Sequence, residues 1–206
     1  MGFAVLSILE AAGWPSWFLL ACSVIALAII FERTWALRSG AVAPKDLLPR
    51  VLDQFKSRGM NSEVIERLAQ SSPLGRVLAA GMMNAQSSRE IMKESIEDAG
   101  RAVMLELERY LTTLGTIATI SPLLGLFGTV VGMIVIFRTQ GPAGTNPAEL
   151  AHGISIALYN TAFGLIVAVP SMIFYRHFRA RINSLIVEME QQAVKLVEIV
   201  HGHRRG

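Results

Sequence analysis

Three stretches of the chain, residues 11–31, 110–137 and 150–175, contain no Asp, Glu, Lys or Arg and are dominated by Leu, Ile, Val, Ala, Phe and Gly. They are 21, 28 and 26 residues long. An apolar run of about 18 or more residues reads as a membrane span. At ~1.5 Å of rise per residue, even the shortest run makes a helix of ~32 Å, enough for a hydrocarbon core of ~30 Å. The pattern predicts transmembrane helices over residues 14–34, 110–137 and 150–175. The first opens at Trp14-Pro15-Ser16-Trp17, where two indoles suit a membrane interface and the proline suits a first helical turn. It closes at Phe31, Glu32, Arg33 and Trp35.

Between and after these runs the pattern turns amphipathic. A helix is predicted from Pro44-Lys45-Asp46 through Arg58, closed by Gly59, with Pro49 blurring its start. Asn61 can cap a short helix through Gln70, and Ser71-Ser72-Pro73 starts another through Asn84. Ser87 and Glu90 have capping-box spacing. From there no proline intervenes before the second span, and Ile96, Gly100, Val103 and Leu107 fall on one face opposite Glu94, Glu97, Asp98, Arg101 and Glu108. This predicts one amphipathic helix continuing into the bilayer. After the third span, Ile182, Leu185, Ile186, Met189, Ala193, Leu196 and Val200 form a similar stripe, with Arg179, Arg181, Glu188, Glu190 and Lys195 outside it. The expected fold class is an all-α membrane protein, with long helices extending into a helical bundle.

Composition agrees: 52% of the 206 residues are hydrophobic and 17% charged, against about 25% charged in a soluble domain. This argues against a soluble enzyme, a disulfide-stapled secreted domain and a disordered tail. The net charge of +3 does not point to nucleic acid, because its placement follows the membrane. Twelve Lys and Arg lie from Arg33 to Arg109 and six after the third span, against Arg138 alone between the second and third. The positive-inside rule puts the first two groups in the cytoplasm and the N-terminus and short loop outside. The expected organisation is a periplasmic segment 1–13, a cytoplasmic insertion 35–109, a periplasmic loop 138–149 and a cytoplasmic tail 176–206. The first span reads as retained rather than as a cleaved signal, since no basic n-region precedes it. Cys22, the single cysteine, reads as a small core residue.

Inside the spans the polar residues are patterned. Thr112, Thr116 and Thr119 are followed by Gly125, Gly128, Thr129 and Gly132, which the spacing reads as one prolonged small-residue face. In the third span Gly153, Ala157, Thr161, Gly164 and Ala168 recur at helical spacing. Such stripes let helices approach closely in lipid. Thr129 and Thr161 either bond back to their own helices or line a polar path. Tyr159 and Asn160 add polarity beside Thr161, and Asn160 either packs or serves a function between subunits. His152, at the outer edge, is either solvated or a proton relay. None of the three charge-free runs holds a carboxylate, Lys or Arg. If the chain belongs to a proton-driven device, the buried proton acceptor comes from another polypeptide. No phosphate loop, dinucleotide fingerprint, zinc-protease or serine-hydrolase motif occurs. His201 and His203 make at best a weak metal pair.

The segments SPLLGLFGTVVGM (121–133) and GISIALYNTAFGLIVAVP (153–170) closely resemble the ExbB/TolQ/MotA family of proton-channel subunits, with the ExbB/TolQ branch nearest. The three predicted spans, the insertion after the first and the tail resemble that branch too. MotA-type members have four spans, so the flagellar stator itself is a poorer match. The resemblance implies a homopentameric ring in a bacterial inner membrane. The ring would enclose two copies of a single-span ExbD/TolR-like partner whose helix carries an Asp, and would energise a TonB- or TolA-like protein. It implies that Thr129 and Thr161 line the pore and that Pro122 and Pro170 shape the helices at the cavity. No cofactor and no metal is implied. Many relatives carry a Glu where this chain has Ile156, which fits a proton that rides on the partner. The competing reading is a ring-forming scaffold without ion flux.

Overall fold

The computed structural model describes residues 13–58, 61–139 and 147–202. Among these, eight helices and no strand occur: α1 (Trp14–Ala36), α2 (Ser39–Val42), α3 (Leu47–Arg58), α4 (Ser62–Ser71), α5 (Pro73–Met83), α6 (Arg89–Leu107), α7 (Leu111–Thr139) and α8 (Pro147–Val200). Three helices are long and apolar enough to cross a membrane. Residues 1–12, 59–60, 140–146 and 203–206 lie outside the described residues. The chain divides into two compact units. One holds residues up to Glu32 with Tyr110–Arg176; the other holds Arg33–Arg109 and the residues from His177 onward.

The first unit contains most of α1, all of α7 and the first part of α8. Its interior is aliphatic: Leu19, Ala26, Ile29 and Ile30 of α1, Leu114, Ile117 and Ala118 of α7, and Ala157, Val167 and Ala168 of α8. Leu123, Ile134, Val135, Ile166 and Ile173 remain exposed, as lipid-facing positions should, because hydrocarbon exerts no pressure to bury them. Trp14 meets Phe127 edge to face with centroids 5.8 Å apart. Pro122 and Pro170 sit inside α7 and α8 without ending them. Each lacks the N–H that would bond four residues back, a loss tolerated in spans where neighbouring groups re-satisfy the backbone. Beside Pro170, the Ser171 hydroxyl donates to the Val167 carbonyl at 2.7 Å.

The second unit is built from short capped helices and the C-terminal part of α8. Asn61 Oδ1 accepts the Val64 amide at 3.0 Å, and Ser72 Oγ accepts the Gly75 amide at 3.0 Å, with Pro73 opening α5. The capping box expected at Ser87 is displaced by one residue. Ser88 is the N-cap and its Oγ accepts the Ile91 amide, while the Ser87 amide is taken by the Asn84 carbonyl in the preceding turn. Likewise α3 starts at Leu47 rather than Pro44, after a turn in which the Leu47 amide bonds the Pro44 carbonyl. Leu74, Leu78, Met92, Val103, Ile182, Leu185, Met189 and Leu196 fill the interior.

The continuous helix predicted from the capping box into the second span is not observed. It breaks at Glu108–Tyr110. The Arg109 amide turns to Glu106 O at 3.2 Å, and Tyr110 is left-handed with φ +65°. Helix α7 begins with Leu114 N–H donating to Tyr110 O at 3.0 Å. The Leu107 carbonyl receives Arg33 Nη1 at 3.0 Å. A guanidinium 74 residues away in sequence takes the acceptor that the Leu111 amide would use in an unbroken helix. No local signal announces it.

Candidate functional site: a hydroxyl pair on a glycine seam

Helices α7 and α8 run antiparallel within the first unit, and glycine sets how close they come. A methyl group added at Gly164 would lie 2.5 Å from the Ser121 carbonyl oxygen and 3.1 Å from Gly125 Cα. One added at Gly125 would lie 2.7 Å from the Asn160 carbonyl oxygen, and one at Gly128 would lie 2.8 Å from Asn160 Cγ. Farther along, Gly132 faces Ala157 and Gly153 faces Ile136. The main chains themselves touch, which only residues without a side chain permit. Asn160 is 1% exposed at the centre of this seam. The small-residue spacing therefore marks the true contact face, but only in part. Thr112, Thr116 and Thr119 do not prolong it; they are exposed, whereas Gly125 and Gly128 are buried. Six residues from Thr119 to Gly125 advance the helix by ~600°, which leaves the two sets on different faces. Thr116 and Thr119 bond back to carbonyls of their own helix.

At the edge of the seam, Thr129 Oγ1 lies 2.6 Å from Thr161 Oγ1. It is also 3.2 Å from the Gly125 carbonyl and 3.2 Å from the Ala157 carbonyl. A hydroxyl has one proton and a carbonyl can only accept. The assignment that serves every contact has Thr129 sharing its one proton between the two carbonyls and Thr161 donating to Thr129. The Ala157 carbonyl stands four residues before Thr161, where that threonine's own hydroxyl would normally bond back. Thr129 occupies the place instead. Both protons are thus committed inward, and Thr161, only half-buried, has its remaining lone pairs free to accept. Such a pair can take a hydrogen bond from a neutral carboxylic acid or from water. It offers nothing to an anion without breaking itself.

The structure brings Thr129, Thr161, Asn160, Gly125, Gly128, Gly132, Gly153 and Gly164 to one seam. It does not bring Tyr159 there: its side chain is 51% exposed, and two residues at ~100° each turn it ~200° from Thr161. Pro122 is half-buried and Pro170 exposed. Ile156 is half-buried and His152 exposed. The back-bond that the sequence allowed at Thr129 is made, to the Gly125 carbonyl. The Ala157 carbonyl escaped the sequence reading as a partner of Thr129, because it belongs to the facing helix. Ser121 escaped it too. It is fully buried, and its hydroxyl has no hydrogen-bond partner among the described residues. No group of three His, Cys, Asp or Glu side chains converges on a metal position among the described residues.

Residues 69–191 match the model of the MotA/TolQ/ExbB proton channel family. The chain is 32% identical to the Tol-Pal system protein TolQ of Pseudomonas aeruginosa, over 89% of this chain and 84% of that one. It is 32% identical to the biopolymer transport protein exbB1 of Vibrio cholerae, over 79% and 74% respectively. Over a shorter stretch of 75 residues, 36% of this chain and 52% of the relative, it is 44% identical to the biopolymer transport protein ExbB of Helicobacter pylori.

Proposed function

From the premise that this multi-pass membrane protein belongs to the MotA/TolQ/ExbB proton channel family, we propose that it is the ring-forming subunit of a proton-driven motor in a bacterial inner membrane. Five copies would surround two single-span ExbD/TolR-like helices, each carrying an Asp, with this chain's N-terminus outside and its tail in the cytoplasm. The assembly would energise a TonB- or TolA-like envelope process such as outer-membrane uptake, and it would make and break no covalent bond in a substrate.

The observation that carries this reading is the inward-committed hydroxyl pair on spans without charge. An ionised carboxylate in low dielectric is expensive, so an Asp enters such a ring in its neutral form. The acceptor face of Thr161 suits that neutral form, whose O–H can donate to it. Once its proton leaves toward the cytoplasm, the Asp becomes an anion that the pair cannot bind, and it is released. Each proton crossing 100 mV supplies about 2.3 kcal/mol, which biases the motion of the ring against the enclosed helices. The seam glycines and Asn160 hold the two threonines in register, with Pro122 and Pro170 shaping the helices around the cavity. Tyr159 would meet a neighbouring copy or the partner rather than Thr161.

The test is co-reconstitution with the ExbD/TolR-like partner in liposomes under an imposed proton gradient. Thr161→Val and, separately, Thr129→Val should leave the native mass of the complex unchanged. Each should lower proton uptake about tenfold, the equivalent of ~1.4 kcal/mol on the barrier. Unchanged uptake in both variants contradicts the lined path. A one-to-one copy ratio in the native mass contradicts the ring.

A further inference from the structure

Helix α6 has two unlike flanks. Met92 and Val103 turn to the interior of the second unit. Lys93 and Ile91 are two residues apart, which sets their side chains ~200° apart around the helix. The flank that carries Arg89 and Lys93 borders a half-open hollow of about 440 Å³ between α6 and the C-terminal part of α8. Ile96 and Val194 give the hollow an apolar wall, and the carboxylates of Glu97 and Glu190 also line it. Glu97 lies 4.0 Å from Arg101. Arg89 and Lys93 form no ion pair among the described residues. Both stand in the first two turns of α6, the end at which the helix dipole favours anions over cations. The hollow thus presents two unmatched cations beside an apolar surface.

The other flank has the complementary character. Ile91 is 49% exposed, and Glu94 lies one turn farther on, exposed and without an ion pair among the described residues. An apolar knob and a free carboxylate therefore stand on the side of α6 turned away from the hollow. A surface and its complement on opposite flanks of one helix join copies head to tail, the arrangement that closes into a ring. A ring axis keeps every copy at one level, so Ile91 and Glu94 of one copy come level with Arg89 and Lys93 of the next. We propose that the hollow is filled by the Ile91–Glu94 ridge of a second copy of this chain. Ile91 enters against Ile96 and Val194 of the neighbour, and Glu94 pairs with its Lys93 and Arg89. The isoleucine supplies apolar contact, while the charges fix partner and register. The proposal rests on the ring reading and adds to it a surface by which neighbours meet.

The experiment uses the full chain in its native assembly with Cys22→Ala. Ile91→Cys and Val194→Cys together should give, on mild oxidation, a ladder of disulfide-linked multimers, whereas either one alone should give single chains. In that background Glu94→Lys should lower the yield of linked chains about tenfold through like-charge repulsion. Lys93→Glu added to Glu94→Lys should bring most of the yield back, because the exchanged charges meet across the contact. All four positions are exposed, so the changes leave the interior of the unit untouched. Native mass is read on the same samples. A ring-sized mass without the 91–194 link, or a yield indifferent to Glu94→Lys, overturns the docking surface and leaves the ring standing. Linked products that stop at two chains mark a two-fold contact and overturn it too. A single-copy mass in the wild type removes the ring reading and this surface together.

Discussion

In the unit built from α1, α7 and the first part of α8, the α7–α8 pair meets through glycine. In the unit built from α2–α6 and the rest of α8, the interior is filled mainly by leucine, isoleucine and methionine, with Gly75 and Gly81 at close approaches. The first brings main chains into contact at Gly125 and Gly164; the second buries Leu74, Leu78, Met92, Ile182 and Leu196. The first exposes Leu123, Ile134 and Ile166. The second carries surface ion pairs such as Arg76–Glu106 at 2.5 Å and Arg67–Glu63 at 2.5 Å. Water rewards the burial of large apolar side chains. Hydrocarbon does not, so contact there must come from short-range packing, which is densest where backbone meets backbone. The α7–α8 seam thus depends on small residues, and the interior of the second unit chiefly on large ones.

Substitutions that change only size can break this comparison. The largest effect is expected where the second unit loses volume. Leu196→Ala, at a fully buried position, should cost about 3 kcal/mol through lost transfer and the cavity left behind. The readout is thermal unfolding of the purified protein in detergent. Next comes the reverse change in the first unit. Gly164→Ala puts a methyl group 2.5 Å from a carbonyl oxygen that cannot rotate away. It should cost about 2 kcal/mol by overpacking, and the separation of labels across α7 and α8 should widen. A native melting temperature for Gly164→Ala would show that the seam is loose, and the contrast would fail.

Smaller effects sharpen the same contrast. Ser72→Ala removes the hydroxyl that accepts the Gly75 amide and should cost ~1 kcal/mol, equivalent to a fall of about 2–4 °C in melting temperature for a domain of this size. The smallest change has the opposite sign. At Gly100 an added methyl group meets nothing within 4 Å, so Gly100→Ala should raise stability by ~0.5–1 kcal/mol through helix propensity alone. The same chemical replacement then harms the α7–α8 seam and helps an open position of the second unit. A loss at Gly100 would mean that a neighbouring molecule fills the space beside it.

What the sequence revealed follows the range of the interactions involved. The charge-free runs mark the three apolar helices because span length is set by the bilayer, and Asn61 and Ser72 mark caps because a cap is made within three residues. The Gly and Ala spacing located the α7–α8 seam for the same reason. The extension of the stripe toward the N-terminus of α7 was an error of phase: Thr112, Thr116 and Thr119 sit on a different face from Gly125, because a few residues of helix rotate by more than half a turn. The break at Glu108–Tyr110 was illegible because nothing local causes it. Its stop signal is a tyrosine in a conformation usually left to glycine, opposite an arginine from the end of another helix. The commitment of the Thr129 proton was hidden likewise, since it depends on a carbonyl of the facing helix.

The seam between α7 and α8 is held by glycine contacts, amide and hydroxyl groups, none of which gains or loses a proton between acid and alkaline conditions. The lining is therefore electrically silent toward the medium. Any response of the protein to acidity must therefore originate outside the seam, and the α7–α8 pair should pack alike across that range.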